Sequence, residues 1–130
     1  MKESTLRRLW IAAIAVLVIL IVVASLTPSP VVPTQSFSDK YAHFIAYFAL
    51  ALLGSAIATP AGLWKVMLRC LLLGASLEIA QSLLTDHRTA DPADLAANAA
   101  GIAVAWLIAG QGRAGWGLRA AAWLSARRPS

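Results

Sequence analysis

Long apolar runs alternate with short polar breaks along the 130 residues of the chain. Residues 9–27, LWIAAIAVLVILIVVASLT, carry no charge and are long enough to cross a bilayer core as a helix. A Pro/Ser-rich break follows at 28–40, PSPVVPTQSFSDK. The second run, 41–59, is YAHFIAYFALALLGSAIAT, ended by Pro60 and Gly62, both strong helix punctuators. The third, 66–84, is VMLRCLLLGASLEIAQSLL, with Arg69 near enough to its start to snorkel to the interface. The fourth, 93–109, is ADLAANAAGIAVAWLIA, closed by Gly110 and Gly112. Nothing in the chain alternates with a period of two, so no strand is expected. The pattern predicts an all-α fold: a four-helix transmembrane bundle.

Composition agrees. The chain is 59% hydrophobic and 13% charged, whereas a soluble domain carries about 25% charged residues. Lys2, Arg7 and Arg8 ahead of the first run also fit a signal peptide. The apolar stretch is longer than such a segment needs and no clean A-x-A site follows, so an uncleaved span is expected. The net charge of +5 sits mainly at the two ends, without the basic stripe and interleaved aromatics of a nucleic-acid surface. Cys70 is the sole cysteine, which excludes an internal disulfide and reads as a small apolar residue.

Orientation follows from Lys and Arg in the short loops. Lys2, Arg7 and Arg8, then Lys65 with Arg69, then Arg113, Arg119, Arg127 and Arg128 fall on one side of a four-span chain. The other two loops hold only Lys40 and Arg88. Both termini are therefore expected in the cytoplasm. Trp10, Trp64, Trp106 and Trp116 fall near the same inner interface, where indole rings prefer to sit. Residues 1–112 form the expected transmembrane domain and 113–130 a basic cytoplasmic tail. In the tail, Trp116, Ala120, Trp123 and Leu124 share one helical face. An interfacial amphipathic helix and a disordered basic tail both fit it.

The candidate chemistry lies in the polar interruptions. Glu78 stands about 9 Å, and Asn98 about 10 Å, inside the outer ends of their helices at 1.5 Å per residue. His43 and Tyr47 lie one and two turns in from that same end. Glu78 with Gln81, His43 with Tyr47, and Asp94 with Asn98 each share a helix face, and Gly101 continues the Asp94–Asn98 face. The Ala97, Gly101 and Ala105 strip allows close helix approach. An ionisable group within a span is a functional-site hypothesis by default, and Glu78 is the strongest case. Ordinary structural roles compete with that reading. Asp91, Pro92 and Asp94 form a helix start, with Asp91 as N-cap. Ser38 and Asp39 would cap the second helix. Glu78 with Arg88 or His43 would make a clasp, and Gln81 and Asn98 interhelical glue. Tyr41 reads as an interface anchor, and Asp86 and His87 as solvated loop residues.

The blocks DKYAHFIAYFALALLG (39–54) and LEIAQSLLTDHRTADPADLAANAAG (77–101) resemble the VanZ-like family. The matching positions are Asp39, Lys40, His43 and Tyr47, then Glu78, Gln81, Arg88, Asp91, Asp94, Asn98 and Gly101. The resemblance implies a multi-pass protein of the bacterial cytoplasmic (inner) membrane, in a family associated with low-level teicoplanin resistance. Some members carry an acyltransferase label, for which the sequence offers no coenzyme-A site. Three functions are open. The first is binding of a lipid-linked cell-wall precursor or a glycopeptide-related ligand at an outer-facing polar site. Asp39, Lys40, Tyr47, Gln81, Arg88, Asp91, Asp94 and Asn98 would line it. The second is an intramembrane hydrolase or transferase, with Glu78 and His43 as acid and base and Lys40 and Arg88 on a phosphate. The third is a structural or accessory membrane subunit. Membrane lipids are expected partners and nucleic acid is not. No cofactor is expected; a metal held by His43, Glu78 and an aspartate has no H-E-x-x-H or similar signature behind it, so none is expected either; a homo-oligomer is left open.

Overall fold

Each apolar run becomes a helix in the computed structural model, which describes residues 3–27, 36–86 and 89–126. Five α-helices follow in order: α1 Glu3–Leu26, α2 Phe37–Ser55, α3 Leu63–Leu84, α4 Pro92–Gly110 and α5 Trp116–Ala126. A 3-10 turn, Pro60–Gly62, leads into α3. No strand occurs among the described residues.

The helix starts follow local chemistry. The Ser36 hydroxyl accepts the Asp39 backbone N–H at 3.2 Å, so Ser36 caps α2, rather than Ser38 or Asp39. The helix therefore runs four residues earlier at each end than the apolar run suggests. The α4 start is as expected: the Asp91 carboxylate accepts from the Ala93 N–H at 2.9 Å and Pro92 takes the first helical position, where its missing donor costs nothing.

Three helical segments are long and apolar enough to cross a membrane: Glu3–Leu26, Pro60–Leu84 and Pro92–Gly110. The expectation of four is corrected at α2. Its 19 residues include Asp39, Lys40, Tyr41, His43 and Tyr47 in the first eleven positions, which drains its apolarity. The packing explains why such a helix is tolerated. α2 is the inner element, lying most extensively against α4 and also against α1 and α3. Tyr47, Leu50 and Ala51 on its inner face belong to the core with Met67, Cys70 and Leu77 of α3 and Ile102, Ala105 and Ala109 of α4.

α1 is the converse case. Ile21 is its one buried residue, while Leu9, Ile11, Val16, Ile19, Leu20 and Val23 are exposed. From Leu9 to Leu26 the helix carries no charge, and such an apolar exposed surface suits hydrocarbon and not water.

Closest approach is between α2 and α4. A Cβ on Gly101 would lie 2.3 Å from the Phe44 carbonyl oxygen and 2.9 Å from the Phe48 nitrogen, so only glycine lets the two backbones meet here. At the far end of α2 the chain after α4 turns back. Gly115 donates to the Ser55 carbonyl at 2.7 Å and Gly117 to the Ala56 carbonyl at 3.1 Å. The Trp116 indole N–H reaches the Ser55 hydroxyl at 3.2 Å. The two backbone donors serve carbonyls at the end of a helix, where intrahelical partners run out. Of the two tail conformations open to the sequence, the helical one is realised, docked on α2. Arg127 and Arg128 lie outside the described residues.

Candidate functional site

The polar residues of α2, α3 and α4 converge at one end of the bundle, where α2 and α4 begin and α3 finishes. Lys40 donates to both the Asp91 and Asp94 carboxylates, tying the first turn of α2 to the first turn of α4. One turn deeper, His43 Nδ1 lies 3.1 Å from Asn98 Oδ1. The spacing that puts Lys40 and His43 on one side of α2 matches the four-residue spacing of Asp94 and Asn98 on α4.

α3 closes the group. The Glu78 carboxylate accepts the Asp91 backbone N–H at 3.1 Å, so it holds the residue that caps α4. Gln81 donates to the Ser25 carbonyl of α1 at 2.8 Å, an interhelical contact like that of Asn98 with His43, and its backbone carbonyl accepts from the Thr85 hydroxyl at 2.6 Å. Tyr47 is buried beside Gly74, where an added Cβ would lie 3.3 Å from its ring.

Burial divides the cluster into two layers. Tyr47, Gln81 and Asn98 are at most 2% exposed, and Glu78 and Asp94 are also buried. Above them Lys40, Asp91 and His43 keep 23%, 21% and 11% of their side chains accessible. The deeper layer is packed; the upper layer is a rim. Asp39, the residue before Lys40 in the first turn of α2, is also buried.

The chemistry of the rim centres on His43. With Asn98 Oδ1 accepting from Nδ1–H, the other ring nitrogen faces carboxylates. Nε2 lies 3.6 Å from Asp94 Oδ2 and 3.9 Å from Asp39 Oδ1, both beyond an ordinary hydrogen bond. One ligand atom each from Asp39, His43 and Asp94 falls within 4.8 Å of the others. The sequence offered His43, Glu78 and an aspartate as the metal-type set; the structure groups His43 with Asp39 and Asp94, and Glu78 is not among them. The i, i+4 spacing within α2 was visible, but the third ligand is 51 residues further on. The Lys40 ammonium already offsets Asp94, so the chain supplies one cation of its own here.

Asp91, at the rim and outside the helices, has its carboxyl held below the usual carboxylate range. The hydrogen bond from Lys40 is the main cause, and the Ala93 N–H adds to it. Lys40 is thus engaged by two carboxylates rather than left open for a phosphate. Tyr41 and Asp86 are exposed, as expected of an anchor and a loop residue. Arg88 and His87, read from sequence as a ligand-binding residue and a loop residue, lie outside the described residues.

A family model described as VanZ/LLP1 matches residues 9–111. Comparison with curated proteins returned no match, and neither did comparison with solved structures. The matched region holds all four long helical runs and every residue of the polar cluster.

Proposed function

The chain belongs to the VanZ/LLP1 family, and from that premise we propose that it is a multi-pass protein of the bacterial cytoplasmic membrane. α2 crosses with the three more apolar helices, shielded by them, and both termini lie in the cytoplasm. The Lys40–His43–Asp91 rim then faces the outer leaflet. There it binds the polar head of a lipid-linked cell-wall precursor or a glycopeptide-related molecule, a role consistent with a link to teicoplanin resistance.

The observation that carries this reading is the layering of the cluster. Purely structural polar groups in a membrane bundle are expected to be buried and satisfied, as Gln81 and Asn98 are. Lys40, Asp91 and His43 stay accessible in the same network, and His43 Nε2 faces two carboxylates beyond bonding distance. An amine of a sugar or peptide head, placed between them, has enough N–H donors to bond the ring nitrogen and a carboxylate together.

The test is binding of a lipid-linked cell-wall precursor to the purified protein in nanodiscs. His43→Ala is expected to weaken binding by about tenfold, the loss of one charge-assisted or buried hydrogen bond. Unchanged binding in His43→Ala, with thermal stability intact, would remove the rim as the site.

A second reading is favoured by the same histidine. With Nδ1 oriented by Asn98 and carboxylates before Nε2, His43 has the fixed orientation of an acid–base group. Incubation of the precursor with the protein, with and without divalent metal, separates the two. A product that depends on His43 would make the protein an enzyme, whereas bound but unaltered precursor leaves it a binder.

A further inference from the structure

The end of the bundle away from the polar cluster has a different character. Gly54 is fifteen residues along α2 from Asp39, about 22 Å at 1.5 Å per residue. Around it α1, α2 and α3 leave a groove of about 490 Å³, inside the range of about 300–1,000 Å³ typical of small-molecule sites. Ile14 and Val18 of α1, Leu50 of α2 and Leu73 of α3 form its walls.

Its charge is one-sided. Arg7, Lys65 and Arg69 line the groove and no carboxylate does. Lys65 and Arg69 are one turn apart on α3, so they project from one face toward Arg7 on α1. Among the described residues none of the three makes an ion pair. Lys65 lies 5.7 Å from the centre of the Trp64 ring, the kind of pairing found at the headgroup level of a bilayer.

α1 packs on the bundle along much of its length: Trp10 meets Trp116 edge-on at 5.2 Å, Ile14, Leu17, Val18 and Ile21 lie on the core, and the Ser25 carbonyl accepts from Gln81. The groove runs beside this contact, with Ile11, Ile14 and Val18 along one wall. In a membrane, an apolar channel with three cations at its mouth matches one class of molecule, with an anionic head and a hydrocarbon chain. We propose that this groove is a binding site for an anionic phospholipid, its phosphate held by Arg7, Lys65 and Arg69 and an acyl chain lying along the apolar wall made by α1, α2 and α3. The site is separate from the polar cluster and depends only on the protein residing in a membrane.

The test is native mass spectrometry of the full chain in neutral detergent, titrated with phosphatidylglycerol or phosphatidylcholine. Phosphatidylglycerol is expected to bind about tenfold or more tightly, since each basic residue near a lipid phosphate contributes severalfold. The Arg7→Gln/Lys65→Gln/Arg69→Gln variant loses that preference. The Arg8→Gln/Arg113→Gln variant, altered outside the groove, keeps it. Equal affinity for the two lipids overturns the proposal, as does a preference that survives the triple substitution. Displacement of phosphatidylglycerol by equimolar inorganic phosphate also overturns it, because the site would then hold a soluble anion. Should the triple variant fail to fold, Arg69→Gln alone is read, with about a fivefold loss expected.

Discussion

Asp91 holds three relationships through one residue. Its carboxylate caps α4 through the Ala93 N–H and accepts from Lys40, while its backbone N–H is taken by Glu78. Its folded carboxyl sits below the ordinary value, which for an unfolded aspartate is about 3.9. A depressed carboxyl stabilises the fold fully at pH above that ordinary value, and the contribution disappears as pH falls through the folded value. Asp91→Asn keeps an oxygen for capping but removes the charge that Lys40 meets. Thermal unfolding in detergent should therefore find the variant less stable than the parent at pH 7, with the gap closing from about pH 5 downward. A gap that stays constant to pH 3 would mean that Lys40 is not meeting a charged Asp91. The capping role of Asp91 was legible in the sequence, because N-cap, Pro and Asp occupy consecutive, directional positions. The Lys40 contact was not, because two side chains 51 residues apart are joined only by the crossing of α2 and α4. The same limit applies to Glu78, whose isolation in an apolar run marked it but one of whose partners is the Asp91 backbone N–H, which has no sequence signature.

At the scale of elements, the bundle is organised by the α2–α4 contact. Gly101 sets the distance, and the Lys40–Asp94 and His43–Asn98 pairs set register along it. Gly101→Ala puts a methyl against the Phe44 carbonyl, a group that cannot rotate away. Overpacking of this kind costs about 1–3 kcal/mol or more. Thermal denaturation should show that loss, accompanied by weaker ligand binding at the rim, since separating the helices moves His43 from Asn98. Ala97→Leu would be a poor control, because Ala97 shares the strip; Ala100→Leu, on an exposed position of α4, should leave stability nearly unchanged. The four long helices and their approximate limits were readable from the apolar runs, although α2 falls short of the apolarity of a span, and the small-residue strip marked the tight face at Gly101. The rank order of the helices was not readable. Apolarity marked α1 as the most membrane-like, yet it is the most peripheral, while the least apolar, α2, is innermost. Hydropathy reports what a helix can face, and a helix surrounded by other helices is released from that requirement. The docked tail was also hidden, because its positive-φ Gly115 reads as a helix breaker when it is in fact the turn that aims backbone donors at α2.

At the scale of the whole molecule, the two ends of the bundle are chemically opposite. One carries carboxylates, a histidine and a lysine in a bonded network; the other carries Arg7, Lys65 and Arg69 around an apolar groove, with Trp10 and Trp116 beside it. Basic residues are retained on the cytoplasmic side of short loops, and indole rings gather at interfaces, so the groove end should face inward and the rim outward. The reading requires α2 to cross. With only the three most apolar helical segments crossing, an odd number of passes would put the two termini on opposite sides. Alkaline phosphatase, active only outside the cytoplasm, distinguishes the cases when fused after residue 58, after residue 90, or at the C-terminus. Four crossings predict activity at residue 90 alone. Three crossings by α1, α3 and α4 predict the reverse: the fusions at 58 and at the C-terminus are active and the fusion at 90 is inactive. In that second pattern the polar rim would meet the cytoplasm. Its ligand would then have to be sought among cytoplasmic-leaflet molecules rather than exported wall precursors.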